Sequence, residues 1–294
     1  MLHALFRASR PLAHANIAPP LFYGQALAYT VAGVFSIEML AFCVVFGVLD
    51  HLFIVFANDF ADRKADEVNT TFNMFSGGSR VLPEGLLSPR IVGTIAWITA
   101  ILLFVLTLAF AHSHPLLPIF ATLAIFLMLA YSYPPIALSY RGGGEWLQAI
   151  GMGLVLPLVG FHAQAPSLEA IPWLAFLPTF AMGLSGNILT SLPDEPADRA
   201  TSKRTWAVRR GVSRASRDTM IGFATAFSLG SFCIPWPSET ARALGIALPI
   251  GALGIIIPIL PRRERPDARA LLVFMLAMGA VSTGTLALWT FVLL

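Results

Sequence analysis

The stretch Ile91–Ala111 reads IVGTIAWITAILLFVLTLAFA and carries no charged side chain. As an α-helix rising about 1.5 Å per residue, it would span about 30 Å, the thickness of a bilayer's hydrocarbon core. Eight more runs share its character. The nine lie at roughly 17–37, 39–58, 91–111, 115–133, 145–165, 170–192, 219–236, 241–260 and 270–293. Proline punctuates them. Pro19 and Pro20 open the first, Pro115 opens the fourth, Pro134 and Pro135 close it, and Pro172 and Pro193 bracket the sixth. Pro157, Pro178 and Pro249 fall inside spans, where they predict kinks. The expected fold class is all-α: a polytopic membrane helical bundle with nine transmembrane helices, a single membrane-embedded domain over residues 1–294. Composition points the same way. Of 294 residues, 56% are hydrophobic and 12% charged, and mean hydropathy is +0.74. One soluble core does not bury so large an apolar share.

The basic residues test this span count independently. Nine spans with the N-terminus inside put eighteen of the nineteen Lys and Arg residues on the cytoplasmic side, leaving only Arg242 outside. Such asymmetry is how membrane proteins orient. The expected localisation is the cell inner membrane or plasma membrane, multi-pass, with the lipid bilayer as a partner. The N-terminus and the two long polar loops, roughly 59–90 and 193–218, are expected in the cytoplasm. The net charge of +3 sits in short loops, so no nucleic-acid partner is expected. Cys43 and Cys233 lie in apolar runs without metal-ligand spacing. Arg7 and Arg10 are followed by Pro11, not by the apolar run and small-residue site of a cleaved signal.

Both long loops carry acids. The first holds Asn58, Asp59, Asp62, Arg63, Lys64 and Asp66. Asn58, Asp62 and Asp66 recur every fourth residue and share one helix face, where like charges repel unless a cation lies between them. A hard cation such as Mg²⁺ takes carboxylates, waters and substrate phosphates. Asp59 points about 100° away and is a candidate to orient a neighbour or bind a second ion. The second loop holds Asp194 and Asp198, again four apart, with Lys203 and Arg204 close behind. Pro196 between these two aspartates makes the helical spacing less secure here. Acids for metal and bases for phosphate oxygens suit a diphosphate. Candidate metal ligands are thus Asn58, Asp59, Asp62, Asp66, Asp194 and Asp198. Candidate phosphate donors are Arg63, Lys64, Arg141, Lys203 and Arg204. Asn187 and Ser191, about two and one turns before the second cluster, are placed to line the cavity. The plain alternative for the first cluster is a solvated helix end salt-bridged by Arg63 and Lys64.

In combination these motifs resemble the UbiA superfamily of membrane prenyltransferases. Asn58 to Asp66 resembles its NDxxDxxxD motif, and Asp194 to Asp198 its DxxxD motif. Asp198-Arg199-Ala200 and Lys203-Arg204-Thr205-Trp206-Ala207-Val208 resemble the tail DRAxGKRTLAV. Tyr131-Ser132-Tyr133-Pro134-Pro135 with Arg141-Gly142 and Gly144-Glu145 looks like YSxPP…RGxGE, and Ser9-Arg10-Pro11 like the family's RP start. The resemblance implies nine spans, Mg²⁺ as cofactor, and a polyprenyl diphosphate held through Mg²⁺ by both clusters. The diphosphate leaves, and an aromatic or lipid acceptor captures the allylic cation. Ser76-Gly77-Gly78-Ser79 and Gly85-Leu86-Leu87-Ser88-Pro89 are most similar to the 1,4-dihydroxy-2-naphthoate branch of menaquinone synthesis. Ala61-Asp62-Arg63-Lys64 instead resembles the 4-hydroxybenzoate branch. The sequence departs from the second motif at Pro196 and at Ser202, where the family has glycine.

Asp62, Asp66, Asp194 and Asp198 are the catalytic candidates, with Asp50 beside them. Asp50 lies eight residues before Asn58, on nearly the same face. Intramembrane ionisable residues are functional candidates by default. Two readings are open: Asp50 positions or deprotonates the acceptor, or it is a hydrogen-bonded core acid. Tyr131 and Tyr133 face a developing cation or belong to an interfacial aromatic belt. The Gly142–Gly144 run either lets the backbone approach phosphate or is a flexible loop. His112 and His114 are read as solvent-exposed loop residues. The rival function class is a membrane transporter, or a lipid-binding protein with an acidic cytoplasmic-face site. Against it, the acids gather at one face and not at the midplane.

Overall fold

A computed structural model of the protein describes residues 1–70, 72 and 77–294. The described residues are helical with connecting loops and include no strand. A short α1, Leu2–Ala8, leads through a 3-10 turn into α2, Ala18–Ala32. Then come α3, Ile37–Val68; α4, Pro89–Ala109; α5, Leu117–Ser132; and the single turn α6, Leu138–Arg141. Helix α7, Gly144–Ile150, runs through a π turn at Gly151–Val155 into α8, Leu156–Gln164. The second half holds α9, Phe176–Ser191; α10, Glu195–Ala200; α11, Trp206–Arg210; α12, Val212–Cys233; α13, Glu239–Ile256; and α14, Ala268–Leu293.

Each of the nine predicted segments falls on a helix. Among the described residues, six helical stretches are long and apolar enough to cross a membrane, and α5 is a shorter apolar helix. Their outward faces are greasy. Ile101 is 60% exposed, Phe291 77% and Ile255 80%, a surface suited to lipid and not to water. Local sequence sets several of the starts. Ser36, Ser88 and Ser238 each accept a hydrogen bond from the backbone N–H three residues on, and Asp267 does the same for α14.

The largest difference from the sequence expectation is α3. The apolar pattern ends near residue 58, but the helix continues to Val68. At about 1.5 Å per residue it is about 48 Å long, some 18 Å more than a hydrocarbon core. The first acidic cluster is therefore a helical face and not a loop.

The buried prolines show how the bundle tolerates breaks. Proline removes a hydrogen bond to the carbonyl four residues earlier and frees it. For Pro157 that carbonyl belongs to Gly153, and the Thr179 hydroxyl of α9 donates to it at 2.6 Å. For Pro249 it belongs to Gly245, and the Trp289 indole of α14 donates to it at 2.7 Å. Neighbouring helices thus repair each break, as a lipid-immersed backbone demands. Pro178, expected mid-span, lies in the first turn of α9, where no intrahelical bond is lost. Small residues bring α2 and α8 together: a Cβ on Gly24 would collide with the Pro157 carbonyl.

Thr179→Val keeps the side chain's shape and strands the Gly153 carbonyl. The expected loss is about 1–3 kcal/mol, seen as a lower melting temperature in detergent. Adding Pro157→Ala restores a backbone donor, so the double variant should melt above Thr179→Val alone.

Candidate active site

Helix α3 presents a stripe of Asp50, Ile54, Asn58, Asp62 and Asp66, every fourth residue, to a cavity of about 270 Å³. The stripe runs about 24 Å along the axis. Across the cavity, α9 supplies Asn187 and Ser191, and the segment after it supplies Asp194, Asp198 and Lys203. The two acidic clusters, more than a hundred residues apart in the chain, face each other.

Lys203 joins them. Its Nζ donates to Asp62 Oδ2 at 2.8 Å and lies 3.8 Å from Asp198 Oδ1. All three side chains are buried. Burial alone would lower the Lys203 pKa, but Asp62 and Asp198 outweigh it and hold the ammonium well above its usual value. Asn58 Nδ2 donates to Asp62 Oδ2 at 2.9 Å, and the Tyr140 hydroxyl to Oδ1 at 3.3 Å. Thr205 donates to Asp198 at 3.2 Å. Burial still pushes the Asp198 carboxyl up to about 7. It raises Asp194 too, against the Asn69 amide that donates to it at 2.7 Å.

Pro196 does not disturb the second cluster. It sits in the first turn of α10, where its missing N–H is no loss, and the Asp198 amide reaches the Asp194 carbonyl at 2.8 Å. The Asp194 and Asp198 spacing is helical after all.

Asp59 is placed differently from its neighbours. Its carboxylate pairs with Arg10 and accepts from the Ser79 hydroxyl and amide, and it does not line the cavity. The 100° offset on the helix turns it toward the N-terminal segment. Sequence reasoning does not single out Arg10, Asn69, Ser79 or Thr205 as site residues; Arg10, Asn69 and Thr205 line the cavity, and Ser79 holds the Asp59 carboxylate that pairs with Arg10. Gly78 lies against Asp66 in the left-handed region, and a Cβ there would strike the Asp66 carboxylate. Ser76 of the same stretch is outside the described residues.

The other expected phosphate donors stand apart. Arg63 bonds the Phe60 carbonyl at 2.6 Å and stacks on its ring. Lys64, Arg141 and Arg204 are exposed, and none of the four lines the cavity. Tyr131 lines it, whereas Tyr133 donates to the Ala57 carbonyl and stacks on Phe60. The glycine run serves packing: a Cβ on Gly144 would press on the Tyr131 ring. The next residue, Glu145, is buried and accepts from the Trp206 amide, with Arg209 3.6 Å away. That tie holds α7 to α11 and fixes the segment bearing Lys203. Of the loop histidines, His112 is exposed as expected, but His114 is half-buried, its ring against His162.

A second cavity of about 840 Å³ adjoins the first and shares Arg10, Asn16 and Gln148 with it. The rest of its wall is mainly apolar, from Met182 and Leu189 of α9 to Met275, Leu276 and Leu286 of α14. Asp62, Asp66, Asp194 and Asp198 offer hard oxygen donors where the cavities meet the polar end of α3. Among the described residues, no three acidic, His or Cys side chains stand close enough to hold a metal alone. That donor set fits an ion such as Mg²⁺, which one or two carboxylates hold while substrate phosphates and water complete its shell.

The chain matches the UbiA prenyltransferase family over residues 17–279 and belongs to that family. Comparison with curated proteins gives no match. Among solved structures it is similar to a UbiA homologue from Archaeoglobus fulgidus bound to GPP and Mg²⁺. Identity is 17%, with 99% of each chain covered and a TM-score of 0.69. It is also similar to the apo structure of a UbiA homologue from Aeropyrum pernix K1. Here identity is 17%, coverage 91% of this chain and 96% of that one, and the TM-score 0.65. A digeranylgeranylglyceryl phosphate synthase matches at 14% identity, 99% coverage of both chains and a TM-score of 0.63. At these identities the likeness is one of fold.

Lys203→Met removes the one cation between two buried carboxylates. Breaking such a pair from one side costs about 3–5 kcal/mol. The expected result is a large fall in the detergent melting temperature, smaller when Asp62→Asn accompanies it.

Proposed function

We propose that the protein transfers a prenyl group from a polyprenyl diphosphate to an aromatic acceptor, with Mg²⁺ as cofactor. Family membership supports the reaction class. The observation that carries the site assignment is the meeting of the two acidic clusters across one cavity around Lys203. The A. fulgidus homologue, of similar fold, holds GPP and Mg²⁺. In this reading Asn58, Asp62, Asp66, Asp194 and Asp198 would supply the ligands for Mg²⁺, one or two carboxylates to an ion with phosphate oxygens and water completing its shell, and the metal would offset charge on the departing diphosphate. Lys203 binds a phosphate oxygen, exchanging one of its carboxylate partners for it. Arg10, at the junction of the cavities, is a second donor. Asp59 orients Arg10 and is not an ion ligand.

The bond that breaks joins the allylic carbon to the diphosphate oxygen, and its electron pair leaves with the diphosphate. The bond that forms joins that carbon to the acceptor, which gives up a proton. Tyr131 faces the allylic end, where its ring stabilises positive charge. The larger cavity takes the prenyl chain along the apolar side chains that make up most of its wall, such as Met182, Leu189, Met275, Leu276 and Leu286. The smaller one takes the acceptor, a ring of the kind used in quinone synthesis. The helices cross the membrane nine times, and both clusters face the cytoplasm, the side the basic loops select.

Asp62→Ala and Asp198→Ala should each lower Mg²⁺-dependent prenyl transfer in membranes by at least about a hundredfold. Wild-type transfer by either variant would falsify the ion assignment. A non-hydrolysable prenyl diphosphate analogue should raise the melting temperature only when Mg²⁺ is present; stabilisation without it would sink the cofactor.

A further inference from the structure

Five carboxylates line the smaller cavity: Asp50, Asp62, Asp66, Asp194 and Asp198. Two permanent cations line it, and both are engaged, Lys203 by Asp62 and Arg10 by Asp59. His51 beside Asp50 is committed elsewhere, its Nε2 2.6 Å from the Ser9 carbonyl. Its ring meets His14 edge-on at 5.2 Å. Asp50, like Asp66, has no side-chain hydrogen bond or ion pair among the described residues, but it lies alone at the deep end of the stripe, away from Lys203 and Arg10. It is 1% exposed, and its Oδ1 makes no hydrogen bond among the described residues.

Burying an acceptor without a donor is costly, and an orphan that lines a cavity marks a place where a bound molecule can supply the donor. Asp50 lies eight residues, about 12 Å, from Asn58 along α3. That distance separates it from the ion-binding end and leaves room for a small ring between them. In either protonation state a carboxyl group keeps at least one accepting oxygen. With Asp50 ionised, a ring bearing its own carboxylate would set two negative charges face to face with no free cation to bridge them. That arrangement rejects anionic rings as firmly as it selects donors.

We infer that the deep end of this cavity is a subsite for an uncharged ring bearing a hydroxyl or amine, which donates a hydrogen bond to Asp50. The inference rests on the prenyl-transfer reading and narrows its acceptor class. It sets this chain apart from the carboxylated acceptors suggested by its resemblance to the dihydroxynaphthoate and hydroxybenzoate branches.

The test uses two probes that differ only in a carboxylate, naphthalene-1,4-diol and 1,4-dihydroxy-2-naphthoate. Calorimetry measures their binding to the purified full chain loaded with Mg²⁺ and geranyl S-thiolodiphosphate. The diol should bind at least about tenfold tighter in the wild type. Asp50→Asn, which adds a donor and removes the acid, should shrink that gap below about threefold while thiolodiphosphate affinity holds. Equal affinities in the wild type, tighter naphthoate, no diol binding, or an unchanged gap in the variant overturns the inference. If Asp50→Asn does not fold, the wild-type comparison decides alone. Failure of the thiolodiphosphate itself to bind sinks the prenyl-transfer reading, and this inference with it. Equal affinities with thiolodiphosphate bound sink only the Asp50 subsite.

Discussion

One ammonium group, Lys203 Nζ, sits between carboxylates drawn from the two halves of the chain, Asp62 on α3 and Asp198 on α10. Neither acid would tolerate burial beside the other without it. Everything around it acts to keep it in place. Thr205 bonds Asp198 and Asn58 bonds Asp62. Glu145, itself buried, ties α7 to the Trp206 amide just beyond Lys203. The loop carrying the lysine is thus held in place, although the nine residues 192–200 separate it from α9. A lysine suits this position better than an arginine. Its compact charge can swing from a carboxylate to a phosphate oxygen without unmaking a two-pronged pair.

The length of α3 is what lets so polar a site exist in so apolar a protein. A helix ending with its hydrophobic run would leave the acids on a loop, open to water and poorly fixed. Continuing the helix for ten residues carries Asp62 and Asp66 out of the hydrocarbon on a rigid rod. The same four-residue stripe then runs back to Asp50. The cavity therefore grades from strongly acidic near the membrane surface to mostly apolar within, with a single carboxyl group at depth. One helix thus sets both the clustered acids at the polar end and the lone carboxyl group at depth.

Helical periodicity made much of this readable. The segments 17–37 to 270–293 each fall on a helix because an unbroken apolar run has few other structures in lipid. The face shared by Asn58, Asp62 and Asp66 follows from spacing alone. Other features needed long-range information. Apolar patterning is silent where a helix leaves the membrane, so only the four-residue spacing of the acids points to helix beyond residue 58, and nothing in the pattern sets its end at Val68. Pro196 reads as disruptive from spacing alone, because the pattern does not show that it falls in the first turn of α10. The cationic candidates were the least legible. Arg63, Lys64 and Arg204 stand near the acidic clusters in the chain, but side-chain direction puts them, like Arg141, on Phe60 or in solvent. Arg10, far away in sequence, reaches the cavity because α1 and the following turn fold over α3. Only the Ser9-Arg10-Pro11 resemblance hinted at it.

The balance of charge explains why such a site stays incomplete by itself. Two cations shared among six nearby acids, counting Asp59, leave a deficit that no described side chain fills. A protein selected for stability alone would replace some of these acids with apolar residues, since buried charge rarely stabilises. Keeping them makes sense if a positive ion arrives with the substrate and redistributes the pairs. Asp59 shows the contrast within one helix. Satisfied by Arg10 and Ser79, it needs nothing further and faces away from the cavity, whereas Asp62 and Asp66 face into it. The split between settled and unsettled carboxylates along α3 is therefore a physical boundary between what holds the fold and what is left to bind.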